Sequence, residues 1–384
     1  MMHAVLTLIG LVLVLLTLPL ALELFLVTCG ALLFYDNDDF LLVPTAPLRL
    51  VVIIAAHNEE QLIASTVASV RASAAQRIFV VAHNCTDATA RIAHEAGAEV
   101  SEFNGPSGKG HALLHAFTTL RPTADAYLIL DADTTIAPDL YGLVAAALGK
   151  HRAVQCRYEA TPAAGPHAQL AALAFRAINV VRPRGRQQLG LSCGILGNGF
   201  ALRAEVFDQL PYNAYSIVED IELHLALVNA GIRVRFLDHA RIYGQIAGSR
   251  EQHARWEGGR LHLAMQQLRI LLRRILGGKL RLIEPTLDLS TLPLAQGTIL
   301  LLLALALPAV WLRLYALCAL AVLATHVAAA LLLAPDVSAT LTALLFSPLY
   351  ILRKVPGFLT TLRSSKRDAP WKRAERDNHP DNKS

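Results

Sequence analysis

Apolar and polar positions divide this chain into three kinds of stretch. Residues 4–34 form an apolar run whose one strongly ionisable member is Glu23. At about 1.5 Å per helical residue the run crosses a hydrocarbon core of about 30 Å once, with tilt to spare. It has no basic lead-in and no small-residue cleavage site, so it reads as a retained anchor over residues 1–35 and not as a secretory leader. A second apolar block, 291–333, is interrupted near Pro308 and Arg313 and predicts two further spans joined by a tight turn. The stretch 339–352, broken at Pro348, is too short to span; it reads as an interfacial or re-entrant helix or part of a last tilted span. Membrane or interfacial segments are thus expected over 290–362.

From 48 to 250 short β-branched runs alternate with amphipathic segments, the pattern of a mainly parallel sheet covered by helices. The predicted strands are 50–56, 78–82, 98–102, 126–130 and 153–157, with helices around 59–74, 87–96, 109–120 and 138–149. Leu261, Met265, Leu268, Leu272 and Ile275 then recur at helical spacing, with His262, Arg269 and Arg273 on another face. That predicts an amphipathic helix at the bilayer surface over 259–283.

Composition agrees: in 384 residues, 54% hydrophobic and 17% charged, there is room for one domain of about 200–250 residues plus membrane segments. The formal charge of +5 is concentrated after residue 349, where nine Lys or Arg face four acids, so a basic tail over 363–384 is expected in the cytoplasm, against anionic lipid. Five scattered cysteines without CxxC spacing suggest neither disulfides nor zinc. No cluster of charges stands out inside the apolar runs, which disfavours a transporter.

In parallel sheets ligands bind at the carboxyl ends of the strands. Here those ends read His57-Asn58-Glu59-Glu60, His83-Asn84-Cys85-Thr86-Asp87 and Asp131-Ala132-Asp133. Asn58, Asp87 and Asp139 also stand where helix caps belong, and for Asp87 and Asp139 capping is the expected role. Asp131 and Asp133 repel each other unless a cation intervenes, and magnesium or manganese bridging to phosphate is the natural candidate, against a solvated acidic turn. Gly108-Lys109-Gly110 opens a helix with a cation and free amides suited to a diphosphate. Asp220 stands at the mouth of a predicted helix over 221–228 with Glu219 beside it, a candidate base; a favourable helix-dipole position is the competing reading.

These strings in this order, ending in NGFALR, the Glu219-Asp220 pair and Gln252-His253-Ala254-Arg255-Trp256, resemble a membrane-anchored family 2 glycosyltransferase similar to cellulose, hyaluronan and poly-N-acetylglucosamine synthases. The resemblance covers about residues 48–262 and implies an α/β, Rossmann-like GT-A domain over 48–258, with one N-terminal and two to three C-terminal transmembrane helices. It implies Asp131 and Asp133 at the metal and donor diphosphate. It further implies a donor site including Ala56, Asn58, Glu60, Asn84, Lys109 and Arg255, catalysis by Asp220 with Glu219, and an acceptor side formed by Asn198, Gly199, Gln252 and Trp256. Family members usually carry an Asp where this chain has His83; that Asp commonly contacts the donor base, so His83 or Asn84 is expected to take over.

The function expected is inverting, Mg2+- or Mn2+-dependent transfer from a nucleotide-sugar, most naturally a UDP-sugar, to a polysaccharide or lipid-linked glycan at the inner membrane. The catalytic domain would be cytoplasmic, with an oligomer or export partner for any polymer and no role for nucleic acid. Transfer to a ceramide or diacylglycerol, and a non-catalytic nucleotide-sugar-binding subunit, are the alternatives.

Overall fold

The computed structural model describes residues 2–33, 48–161, 165–245 and 250–348, with residues 2–4 and 250–256 described by backbone alone. The basic tail and the acidic stretch at 36–39 lie outside the described residues, as does the end of the 339–352 stretch. The chain opens with helix α1 (Met2–Leu33) and strand β1 (Leu50–Ala56), then α2 (Ile63–Ala72), β2 (Arg77–His83), α3 (Thr89–Glu95), β3 (Glu99–Phe103), α4 (Lys109–Leu120) and β4 (Ala126–Asp131). A short β5 (Thr135–Ile136), α5 (Leu140–Lys150) and β6 (Ala153–Ala160) follow, then α6 (Pro166–Arg176), a π-helical turn (Ala177–Val181) and α7 (Arg182–Gln188). Next come β7 (Phe200–Arg203), α8 (Val206–Gln209), α9 (Glu219–Asn229) and β8 (Val234–Gly244). Helices α10 (Arg250–Leu276), α11 (Ile283–Leu289), α12 (Leu294–Ala306), α13 (Val310–Leu332) and α14 (Val337–Leu344) complete the described chain.

Eight described strands form one sheet in the order β3-β2-β1-β4-β7-β6-β8-β5. The β3-β2-β1-β4 half is parallel, but β7 runs antiparallel to both β4 and β6, and β5 antiparallel to β8. The sheet is therefore mixed, which the sequence reading did not anticipate. It missed β5, β7 and β8: two are four residues or shorter, and β8 interleaves charged positions with apolar ones. Alternation builds two cores, one on each face. Leu50, Val52, Ile54 and Ala56 of β1 enter one, Val51, Ile53 and Ala55 the other.

Among the described helices two are long and apolar enough to cross a membrane, Val5–Leu33 within α1 and α13. Of the expected pair of spans over 291–333, α13 is one, and α12 with 13 residues, about 20 Å, is by itself shorter than a bilayer core. It follows α11 after a 79° bend, and only that broken pair taken together has spanning length. Residues 259–276 of the expected 259–283 segment belong to one longer helix, α10, and the rest forms a turn, a 3-10 turn (Leu280–Leu282) and the first residue of α11. The buried side of α10 is Leu263 and Leu271, packed with Val218, Leu225, Leu282 and Leu289, while Met265 and Leu272 of the predicted stripe are exposed. The predicted 59–74 helix begins only at Ile63, because Asn58 takes a left-handed turn (φ 56°) and residues 59–60 are drawn into the neighbouring loop.

Candidate active site

The carboxyl ends of β1, β2 and β4 share one edge, with Ala55 opposite Asp131 and Ala56 opposite Ala82. Asn58 and Asn84 sit just past two of these ends in left-handed backbone (φ 56° and 50°), a region Asn tolerates better than most residues. The two loops are stitched together. The Thr86 amide donates to Asn58 Oδ1 (2.8 Å), the Ala88 amide to Glu60 Oε2 (3.1 Å), and the Glu60 amide to Asp87 Oδ2 (3.2 Å). Asp87 also accepts from the Thr89 amide, as a cap should, but Asn58 caps no helix and Asp139 makes no capping hydrogen bond. Ala56 is fully buried at the end of its strand.

His83 and Asn84 face the protein. The His83 ring is buried, stacked on Phe103, with Nδ1 3.1 Å from the Phe103 carbonyl oxygen and Nε2 2.9 Å from that of Pro106. Burial lowers its pKa, so the ring is neutral near pH 7. Asn84 donates to the Gly105 carbonyl and accepts from the Gly105 amide, both at 3.0 Å. Both side chains thus hold the 103–106 segment.

A second group gathers around Lys109. Its ammonium pairs with Asp131 and donates to the Gly197 carbonyl oxygen at 2.5 Å. Gly197 has φ 77°, and a Cβ there would stand 3.4 Å from Asp220 Oδ2, so the DxD strand, the lysine and the Glu219-Asp220 pair meet in one cleft. Burial opposes charge on Lys109, yet Asp131 and Glu219 outweigh it and hold its pKa above the ordinary value. Burial raises both Glu219 and Asp220, and Glu219 further. The two neighbouring carboxyls titrate as a pair, and burial holds both above the ordinary carboxyl range. Asp220 also lies within the field of Arg260, which favours its charge.

Asn198 and Gly199 continue this loop. Asn198 Oδ1 accepts from the Asp131 amide (3.1 Å), and its Nδ2 donates to Thr134 (2.8 Å). Gly199 (φ 68°) bridges β4 and β6 through Ile129 and Cys156, and a Cβ there would strike Ile242 at 2.2 Å. Buried Gln155 donates to the Asn198 and Gly199 carbonyls and accepts from the Leu196 amide. Tyr158 stands close by: burial, then Asp131 and Asp133, push its hydroxyl pKa up, and a hydrogen bond to Asn198 works against them. Gln155, Thr134 and Tyr158 escaped the sequence reading, since a polar residue on an unrecognised strand pairing looks like any surface position. Gln252, Arg255 and Trp256 lie on the first turns of α10, and their side chains are outside the described residues.

Comparison with known proteins adds a family to this geometry. A curated relative, protein RfbJ of Shigella flexneri, is 34% identical over 88 residues, covering 23% of this chain and 66% of its own length. Similar solved structures include glucosyl-3-phosphoglycerate synthase from Mycobacterium tuberculosis in complex with Mn2+, UDP and phosphoglyceric acid, at 20% identity, 52% of this chain, 71% of that chain and TM-score 0.39. Mannosyl-3-phosphoglycerate synthase from Rubrobacter xylanophilus gives 21%, 53%, 67% and 0.38 in the same order. The family described as "Glycosyltransferase like family 2" matches residues 47–259, more than half of the chain, and the protein belongs to that family.

Proposed function

We propose that this family 2 glycosyltransferase inverts the anomeric centre as it transfers a sugar from a UDP-sugar to a polysaccharide or lipid-linked glycan. In this reading the cleft faces the cytoplasm. The observation that carries the reading is the bridge made by Lys109, whose ammonium touches Asp131 on one side and, through Gly197, adjoins Asp220 on the other.

Asp220 takes the acceptor hydroxyl proton, and the oxygen attacks the anomeric carbon from the side opposite the departing diphosphate. Burial raises both carboxyls of the Glu219-Asp220 pair, which favours a proton retained between them and limits the negative charge beside the base. Lys109 offsets charge growing on the diphosphate, and Arg255, one turn before Gly259 on α10, is placed by sequence to do the same. No covalent sugar-enzyme intermediate is needed. The donor set suits Mg2+ or Mn2+: Asp131 and Asp133 stand two residues apart, and no cluster of three or more metal-binding side chains occurs among the described residues. That suits an ion bound through one or two carboxylates with phosphate oxygens completing its shell. When bound, the ion would neutralise the leaving diphosphate.

Exposed Met265, Leu272 and Leu276 along α10 favour a second acceptor class, a membrane lipid carrying its hydroxyl at the bilayer surface. The deciding assay incubates membranes holding the protein with radiolabelled UDP-sugars, with and without EDTA, and partitions the product. Metal-dependent label in polymer or lipid-linked glycan supports the first reading, label in simple lipid the second. Release of no UDP from any donor contradicts both and favours a non-catalytic subunit.

A further inference from the structure

Glu23 is the one acid in a 32-residue apolar helix, and it is 1% exposed. No other member of its charge cluster lies in an apolar run: Glu23 is clamped by two arginines of α7. Arg182 pairs with it, and Arg186 Nη2 lies 2.5 Å from Glu23 Oε1. The same arginines reach α11: Arg182 to Asp288 at 2.5 Å, and Arg186 to Glu284 at 2.5 Å and Asp288 at 3.1 Å. Asp288 also holds Arg260 of α10 at 3.0 Å, with Thr291 accepting from Arg260 at 2.9 Å. Three arginines thus balance three carboxylates across four helices.

The cluster touches two segments next to the site, the 193–199 loop and α10. The Arg186 guanidinium rests on the glycine loop: Nη1 is 3.5 Å from the Cys193 carbonyl oxygen and would be 3.3 Å from a Cβ on Gly194, three residues before Gly197. Arg260 lies one turn beyond Trp256. Helix α1 approaches α7 closely enough that a Cβ on Gly185 would overlap the Val27 carbonyl oxygen, and one on Gly30 would be 2.5 Å from the Gly185 carbonyl oxygen. His326 of α13 joins the assembly, one ring nitrogen 2.8 Å from Thr28 Oγ1 and the other 3.0 Å from the Ala177 carbonyl oxygen in the π-helical turn. Mere anchoring in lipid requires none of these contacts.

We propose that α1 is a working part of the transfer site, Glu23 acting as a positioning residue that holds the 194–199 loop through Arg186 and the start of α10 through Asp288 and Arg260. This rests on the cleft assigned above. The loops after β1 and β2 are held by their own hydrogen bonds among Asn58, Glu60 and Asp87, whereas Lys109 and Asp131 lean on the Gly197–Asn198 loop, so loss of Glu23 lowers turnover more than nucleotide affinity.

The test uses the full chain in its membrane with Glu23→Gln, Glu23→Asp and, as a control, Asp220→Asn. Membrane abundance, UDP affinity in the presence of Mn2+, and UDP release from the UDP-sugar that the wild type consumes are measured. Glu23→Gln is expected to stay in the membrane and to lose much less UDP affinity than turnover, which falls ten-fold or more, with Glu23→Asp restoring part of it. Wild-type turnover in Glu23→Gln overturns the proposal, and so does a parallel loss of UDP affinity and turnover. Should Glu23→Gln fail to accumulate, Glu23→Gln/Arg182→Gln keeps the cluster neutral and is judged by the same two outcomes, and its own failure to accumulate makes the cluster purely structural and overturns the proposal. Retained turnover in Asp220→Asn would instead sink the assignment of the base, whatever Glu23 does.

Discussion

Strand β1 buries all seven of its side chains among apolar neighbours, whereas helix α1, also largely apolar, adds to its packing on α7 an ion pair made by its single carboxylate. The parallel half of the sheet owes its order to non-directional burial, which tolerates many apolar substitutions of similar volume. The flank around α1 depends on ion pairs with fixed partners, and removing one partner of a buried pair leaves the other charge stranded, at a cost of about 3–5 kcal/mol. In the proposed function, one half supplies a rigid donor edge. The other gives a geometry that is either correctly assembled or wrong.

The comparison can be broken where the two halves meet. Lys109→Met removes the bridge between Asp131 and the Gly197 loop, and a fall in turnover of about 10²–10³-fold is expected, as for loss of one preorganised electrostatic partner. Steady-state rates at saturating donor check it. Next in size is Gly199→Ala, which forces a Cβ against Ile242 in left-handed backbone and should cost about 1–3 kcal/mol, read as a lowered denaturation midpoint.

His83→Asp sharpens the contrast differently. The family-like acid would face the Phe103 and Pro106 carbonyl oxygens, so the expected result is a loss of about 1–3 kcal/mol in stability and no gain in UDP affinity. Thermal melts with and without UDP decide this. A pH effect on the unliganded domain is also expected. Burial raises both carboxyls of the Glu219-Asp220 pair above the ordinary carboxyl value of about 4, so the folded state holds protons that the unfolded chain releases. Their contribution favours folding less as pH rises from about 4 to about 8, and urea midpoints across that range should decline.

The same division explains what the sequence disclosed. Strands β1 to β4 and their helices emerge from short apolar runs and period-3.6 patterns that are local, and the DxD and acid-pair strings fall at element ends where ligands bind. The β7 crossover joins β4 to β6 through a four-residue strand, and no local pattern marks it. Glu23 and Arg186 are 163 residues apart, and their pairing depends on how α1 docks. A lone carboxylate in an apolar run and arginines at 182, 184 and 186 were the available signals, and only packing could match them. His83 was read as a replacement for a base-contacting acid because sequence gives a residue's position along a strand end but not the direction of its ring.

The most direct measurement of the central claim is the pH-dependent transfer rate of Asp220→Asn beside Glu219→Gln. The account predicts that Asp220→Asn loses about 10²–10⁴-fold, the usual contribution of a general base, at every pH. Glu219→Gln, which mimics the protonated neighbour, keeps turnover within about ten-fold, and the wild-type rate rises through a pH of about 6 as Asp220 ionises. Transfer by Asp220→Asn at the wild-type rate, with an unchanged pH profile, would contradict it.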